Sequence, residues 1–449
     1  MNTPIVDFVN DYIKSDMTRF HMPGHKGVSF FGFEKYDITE IKGADDLSCP
    51  EGIIQQSEEN ASLLFGTKAS LYSTGGSSQS INAMLHLAFI NRKPTSKPPY
   101  ILAGRNAHKA FIFVAAKIGF DIEWLYPETC NSLCSCVITA DILKNALQNA
   151  SQLPFAVYIT TPDYLGKTTD ITALAKVCRE HDIPLLADNA HGAYSAFTKE
   201  PFHPILQGAD MCCDSAHKTL PALTGCGYLH IAKTDRYGYS VNAKEVMTVY
   251  GTSSPSYLLL QSLDLCNKYI ENNIRNDLEI CSQKVSEITK LLNAKGIKNA
   301  SEEPIKITAD FSKLDKNGFD IPEHFRKHNI EFEYADNDFV VFMATAQNSD
   351  KDFSRLKEAI KALPDFCEIA ERTDFSFVKG QQKMTVRNAI FSKCIEIPIE
   401  QAQGKICGTP TVSCPPAIPI VVSGEKITDE HIKLLKYYGK THINIVNER

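Results

Sequence analysis

Short apolar runs alternate with amphipathic stretches through the first half of the chain. Phe155-Ala156-Val157-Tyr158-Ile159-Thr160 is apolar without interruption and short enough for a buried strand, with Thr161 to Gly166 as the loop at its end. Asp170 then reads as the cap of a helix. Behind it Ile171, Leu174, Ala175 and Cys178 recur at i, i+3, i+4 and i+7, one face of a 3.6-residue period. A second buried strand, Ile183-Pro184-Leu185-Leu186-Ala187, ends at Asp188. Earlier, Ile81 to Phe89 reads as a helix after a Gly/Ser loop. Strands alternating with helices predict an α/β fold with a mainly parallel sheet and helices on both faces. Ligands of such sheets bind beyond the carboxyl ends of the strands.

From about Ser256 to Lys295 the pattern is long, helical and amphipathic, broken at most once, and reads as a connector. Pro304 to Leu363 gives a strand, a helix, a hairpin-like Glu331–Ala346 stretch and another helix, which predicts a smaller α/β domain. The remainder, from about Phe375 and including Pro415-Pro416-Ala417-Ile418-Pro419, reads as loop-rich. The expected division is an N-terminal arm (1–30), a large domain (31–270), a small α/β domain (271–374) and a C-terminal domain (375–449).

Composition narrows the class without naming it. The 449 residues are 43% hydrophobic and 22% charged, and the net charge is −6, which argues against broad nucleic-acid binding. No 18-residue apolar run predicts a membrane span, and Met1 to Met17, with Asp7, Asp11 and Asp16, is unlike a secretory signal. Fourteen cysteines in that context read as reduced thiols of a cytoplasmic protein. Cys130, Cys134 and Cys136 have no second paired set, so no metal site is read there, and Cys212-Cys213 reads as strand packing.

The chemistry lies in a pair of residues. Asp188 ends one buried strand, in Asp188-Asn189-Ala190-His191-Gly192. Lys218 follows another, in Ser215-Ala216-His217-Lys218-Thr219. An acid and a lysine so placed suit pyridoxal phosphate: the lysine holds the aldehyde as a Schiff base and the acid keeps the pyridine nitrogen protonated. Ala190 is small enough to lie under a ring, and His191 is either a contact for cofactor or substrate or a cap of the loop. Ser73-Thr74-Gly75-Gly76-Ser77-Ser78 precedes a helix, where glycines permit close backbone approach and a helix N-terminus attracts phosphate. Gly75, Gly76, Ser77 and Ser78 are thus phosphate candidates, with Ser215 and His217. His108, in Arg105-Asn106-Ala107-His108-Lys109, is the candidate plate over the ring, and the Tyr164 loop lies at a strand end.

With these motifs the chain resembles the Orn/Lys/Arg decarboxylase family in its short bacterial form, over nearly its whole length. Phe20-His21-Met22-Pro23-Gly24-His25-Lys26-Gly27 resembles the family's P-G-H motif. Asp45-Asp46-Leu47 through Pro50-Glu51-Gly52-Ile53 resembles its D-D-L…P-x-G-x-I segment. Arg105 to Lys109 resembles R-N-x-H-K, and Thr252-Ser253-Ser254-Pro255-Ser256-Tyr257 resembles T-S-P-x-Y. The resemblance implies the aspartate-aminotransferase-like fold, its large domain built on a mainly parallel sheet of the seven-stranded type. It also implies a homodimer with sites at the interface, where Thr252 and Ser253 can reach a phosphate. The implied reaction is decarboxylation of lysine, arginine or ornithine with pyridoxal 5'-phosphate, by Lys218, Asp188, His108 and His191, with no nucleic acid or membrane partner.

Three places depart from the family's usual residues: Pro162-Asp163-Tyr164, Cys414-Pro415-Pro416-Ala417 and Ser423-Gly424-Glu425. Another pyridoxal phosphate reaction on this fold, such as transamination or lyase chemistry, would share Lys218 and Asp188. A transaminase clamps the substrate carboxylate with arginine, for which Arg372 and Arg387 are late candidates. A cofactor-binding regulatory protein would need a DNA- or partner-binding module, and no helix-turn-helix or basic arm is read.

Overall fold

The computed structural model describes residues 1–369, 376–412 and 417–447. Arg372, Cys414, Pro415 and Pro416 therefore lie outside the described residues. Two compact units form: Met1–Lys93 with Cys178–Glu279, and Pro94–Val177 with Ile280–Arg449. Seven strands run through the first 231 residues: β1 (Ala69–Ser73), β2 (Tyr100–Gly104), β3 (Asp121–Leu125), β4 (Val157–Thr160), β5 (Leu185–Asp188), β6 (Met211–Asp214) and β7 (Gly227–Ile231). The helices among them are α1 (Pro4–Lys14), α2 (Ile53–Phe65), α3 (Gly76–Ile90), α4 (Lys109–Ile118), α5 (Ala140–Gln148) and α6 (Ile171–Glu180).

In the first unit the strand order is β1-β7-β6-β5. β5 and β6 are parallel, and β7 runs antiparallel to both β6 and β1. The register aligns the strand ends that matter: Asp188 lies opposite Cys213, Asp214 opposite Tyr228, and Ser73 opposite Gly227. The loops that leave β1, β5 and β6 therefore emerge on one edge of the sheet. β5 and β6 are buried along their whole length, which is why they read as continuous apolar runs.

Gly227 has no room for a side chain. A Cβ there would stand 2.8 Å from the Asp214 carbonyl oxygen and 2.9 Å from the Gly76 carbonyl carbon, so only glycine lets the three segments close up. α1 packs on α2 and on the helix Tyr257–Asn272. The backbone N–H groups of Ile5 and Val6, in the first turn of α1, donate to the buried carboxylate of Asp264 in that helix.

In the second unit β2 lies between β3 and β4, parallel to both. Asp170 caps α6 as expected, accepting from Ala173 N at 2.9 Å, and Ile171, Leu174, Ala175 and Cys178 are buried. The long helical stretch is two helices, Tyr257–Asn272 and Ile274–Ala294. The smaller α/β segment has a four-stranded antiparallel sheet with helices Ile321–Lys327 and Asp350–Lys361. The hairpin read at Glu331–Ala346 is the pair Tyr334–Ala335 and Phe339–Met343.

The C-terminal part corrects its loop-rich reading. It carries short antiparallel pairs, among them Cys394–Pro398 with His442–Val446, and a helix, Asp429–Tyr437. These pack a core that includes Ile399, Ile418, Ile420, Leu435 and Ile443, together with Leu133.

Candidate active site

Lys218 is held in a single turn, Ala216–Thr219, at the end of β6. Its Nζ lies 2.9 Å from Nε2 of His191, in the loop that leaves β5. Asp188 is buried, 2% exposed, and its Oδ1 accepts from Ala190 N at 3.2 Å, with the Cys213 thiol 3.6 Å away. The acid, the histidine and the amine thus share one edge of the sheet, at two neighbouring parallel strand ends.

The Gly/Ser loop is on the same edge. Gly75 caps α3, and α3 has no side-chain cap at its N-terminus. Gly76 N is spent on the carbonyl of Gly225 at 2.7 Å, at a φ of +64° that favours glycine. The next amides, of Ser77 and Ser78, belong to the first turn, where helix geometry provides no carbonyl. Ser77 Oγ and Ser215 Oγ meet at 2.8 Å, so loops 138 residues apart converge on this helix end. His217 donates Nδ1–H to the Cys226 carbonyl, and its Cε1 would lie 3.6 Å from a Cβ on Gly76. An uncapped helix N-terminus with two hydroxyls, one loop from a lysine and an acid, fits a phosphorylated pyridine aldehyde.

Thr252 and Ser253, both exposed, line a cavity of about 150 Å³ with Asp46, Thr74, Gln79 and Lys244. Asp45, its neighbour, is spent on backbone. It accepts from Glu51, Gly52 and Ile54 N at 2.9 Å each, which caps the start of α2, and these bonds hold its carboxyl below the usual range against partial burial. Tyr257 donates to the Asp45 carbonyl at 2.7 Å and ties the two segments together.

In the second unit His108 follows β2 and caps α4, its Nδ1 accepting from Ala110 N at 3.1 Å. Tyr164 lies in the loop after β4 and donates its hydroxyl to Glu333. Asp163 is buried, and Oδ1 accepts from Leu165 N at 3.0 Å and Lys167 N at 2.9 Å. Arg105 is spent on structure: its guanidinium, 1% exposed, donates to the carbonyls of Pro419 and Ile420. Arg387 donates to the carbonyls of Ala116 and Lys117 and so closes the C-terminal end of α4.

The family model of the Orn/Lys/Arg decarboxylase major domain matches residues 3–347, and that of the C-terminal domain matches 374–443. The chain belongs to the Orn/Lys/Arg decarboxylase family. It is thereby an amino acid decarboxylase. The arginine decarboxylase of Bacillus subtilis (strain 168) is 29% identical over 473 residues, covering 96% of this chain and 93% of that protein. The uncharacterized protein YaaO of the same organism is also 29% identical, covering 99% of this chain and 96% of that one. The Francisella novicida lysine decarboxylase LdcF superposes with a TM-score of 0.77 at 18% identity, over 99% of this chain and 81% of its own. The Escherichia coli constitutive lysine decarboxylase gives 0.76 at 17%, over 99% and 82%. The fold class is therefore the expected one, α/β with a large, mainly parallel sheet.

In the departing segment Ser423-Gly424-Glu425, the change falls at Ser423, and Glu425 stands where the family also has glutamate. It is buried and accepts from Val422 N at 2.8 Å. Burial raises its pKa and the Arg105 charge opposes that rise, so the segments around 105 and 425 act on one another. Ala417 holds a left-handed φ of +56°, unusual for a residue with a Cβ, and its carbonyl accepts from Lys109 N, the residue after His108. No helix among the described residues is long and apolar enough to cross a membrane.

Proposed function

We propose that this Orn/Lys/Arg decarboxylase removes the α-carboxylate of lysine, arginine or ornithine with pyridoxal 5'-phosphate held on Lys218. The observation that carries the reading is the arrangement on one sheet edge: Lys218 Nζ against His191 Nε2, buried Asp188 on the neighbouring strand, and an uncapped α3 flanked by Ser77 and Ser215. Bound there, the cofactor supplies the electron sink for the pair left when the Cα–carboxylate bond breaks.

The protein's own work is placement. Lys218 supplies the amine. Asp188 would sit at the pyridine nitrogen and keep a proton on it. Gly75, Gly76, Ser77, Ser78, Ser215 and His217 cradle the phosphate. His191 accepts or returns a proton at Lys218 Nζ, with which it is already in hydrogen-bond reach. Ala190 would lie under the ring, and Thr252 and Ser253 of a homodimer partner would border it; the family resemblance, not this geometry, adds His108 and Tyr164 to the set. A transaminase's carboxylate clamp is not supported by Arg387, which is committed to the end of α4.

The test is to incubate cofactor-loaded protein with each of the three amino acids and measure CO2 with the matching amine. Stoichiometric CO2 with cadaverine, agmatine or putrescine would name the substrate. No CO2 from any of them, while borohydride still traps the cofactor on Lys218, would overturn the substrate assignment and keep the cofactor.

A further inference from the structure

Asp214 ends β6, is completely buried, and has no place in the set above. Both carboxylate oxygens are engaged. Oδ2 accepts from Nε2 of His203 at 3.0 Å and Nε2 of His230 at 3.1 Å. Oδ1 accepts from Nδ2 of Asn189 at 2.7 Å, with the Cys212 thiol 3.7 Å away. The far sides of both rings are fixed too. Nδ1 of His203 accepts from Ile205 N at 3.3 Å, and Nδ1 of His230 lies 2.8 Å from the Ser70 hydroxyl.

Two histidines and an aspartate this close form a cluster of metal-ligand type. The proton count argues for a different role. A carboxylate only accepts, so both Nε2 atoms carry hydrogen; Nδ1 of His203 accepts from the Ile205 amide, and Nδ1 of His230 is bonded to the Ser70 hydroxyl. Both ring nitrogens of each imidazole are thus engaged, and the cluster is a closed hydrogen-bond network.

What the network joins is the point. Asn189 directly follows Asp188. Asp214 directly precedes Ser215 and lies four residues ahead of Lys218. Ser70 lies on β1, which runs straight into the phosphate loop at Thr74. The β5–β6 pairing ends at Asp188 and Cys213. Beyond it, the Asn189 amide still donates to the Cys213 carbonyl at 3.0 Å, and the Asn189–Asp214 bond adds a tie through the side chains.

We infer that Asp214 is a positioning residue of the cofactor site: its carboxylate locks the strand end carrying Asp188 to the one carrying Lys218 and, through His230 and Ser70, to the strand that feeds the phosphate loop. The inference rests on the cofactor reading above. Chemistry at a site of this kind tolerates misplacement of only a fraction of an ångström, which open strand ends do not guarantee.

Two variants test it. Asn189→Ala removes the side-chain tie between strand ends and leaves both histidine bonds and the backbone bond to Cys213. Asp214→Asn puts an amide where three donors converge, so its N–H2 group must face either Asn189 or the imidazoles. Each is compared with wild type for pyridoxal phosphate Kd, for the induced circular dichroism of the lysine-bound cofactor's visible band, and for thermal unfolding without cofactor. The expected result for Asn189→Ala is a Kd raised about tenfold or more and an altered dichroic band in the loaded protein. A wild-type Kd and band in Asn189→Ala, whatever its unfolding temperature, would overturn the inference. If Asp214→Asn fails to fold, Ser70→Ala replaces it and is expected to shift the same two readouts, and unchanged values there count against the inference equally. A wild-type protein in which borohydride traps nothing on Lys218 would remove the cofactor reading, and the inference with it.

Discussion

The Lys218 amine and the His191 ring face each other at 2.9 Å across the ends of two parallel strands, 27 residues apart in sequence. Neither residue is held by its own loop alone. The register of β5 against β6 sets the separation, so the contact between them is a property of the sheet. His191→Gln keeps a polar group but removes the imidazole. We expect kcat to fall by roughly 10²–10⁴, the span typical of lost general acid–base help, while borohydride still traps the cofactor on Lys218. Steady-state kinetics with the trapping control checks this, and an unchanged kcat would remove His191 from the mechanism.

Asp188→Asn keeps the shape and removes the charge that would hold the pyridine proton. Turnover should drop by about 10²-fold or more, with cofactor still bound. Measured activity near wild type in a fully loaded protein would sink the assignment.

Gly227→Ala tests the close approach at the phosphate loop. The new Cβ would press on the Asp214 carbonyl and on Gly76, both backbone, which cannot swing away as a side chain would. Overpacking of this kind costs about 1–3 kcal/mol. Urea unfolding should show that loss, and the phosphate loop should bind cofactor more weakly.

Asp163 makes stability depend on pH. Burial raises its carboxyl to about 6 from an ordinary 3.8, while hydrogen bonds from Ser135 and Lys167 and the charge of Lys306 pull the other way. A raised folded-state pKa means that the folded protein holds the proton more tightly than the unfolded chain. Stability from this group is therefore complete below about 3.8 and is lost as pH rises through about 6. Asp163→Asn keeps the oxygen that Leu165 and Lys167 use and has no charge to bury. At pH 7 it should be more stable than wild type, by up to about 3 kcal/mol. The gain should fade below pH 4. Denaturant titrations at several pH values measure this, and a gain that persists at low pH would refute it.

Much of this was readable from the chain because it sits where local rules are strong. Asp188 and Lys218 end apolar runs, and Asp170 stands one residue before an amphipathic stripe. The Asp214 network was not readable. His203, Asp214 and His230 share no motif spacing, and they meet only because β6 and β7 pair antiparallel behind the single turn at His203. The hint was a polar residue inside an otherwise apolar strand, His230 in Gly227-Tyr228-Leu229-His230-Ile231. The C-terminal pairs were missed because their strands are short and broken by glycine and proline, so no period builds up. Arg105 looked like part of a catalytic motif, and only tertiary structure shows its guanidinium spent on distant carbonyls.

That commitment of Arg105 bears on how the polypeptide behaves when it is cut. Pro419 and Ile420 hang on a fully buried guanidinium, and Ala417 on the amide of Lys109, so the last segment is fastened to residues more than three hundred positions upstream. A protease that nicks the chain ahead of residue 376 would leave two fragments that travel together until denaturant parts them. Expressing the piece before the nick by itself would strip Arg105 of the Pro419 and Ile420 carbonyls and open its guanidinium to water.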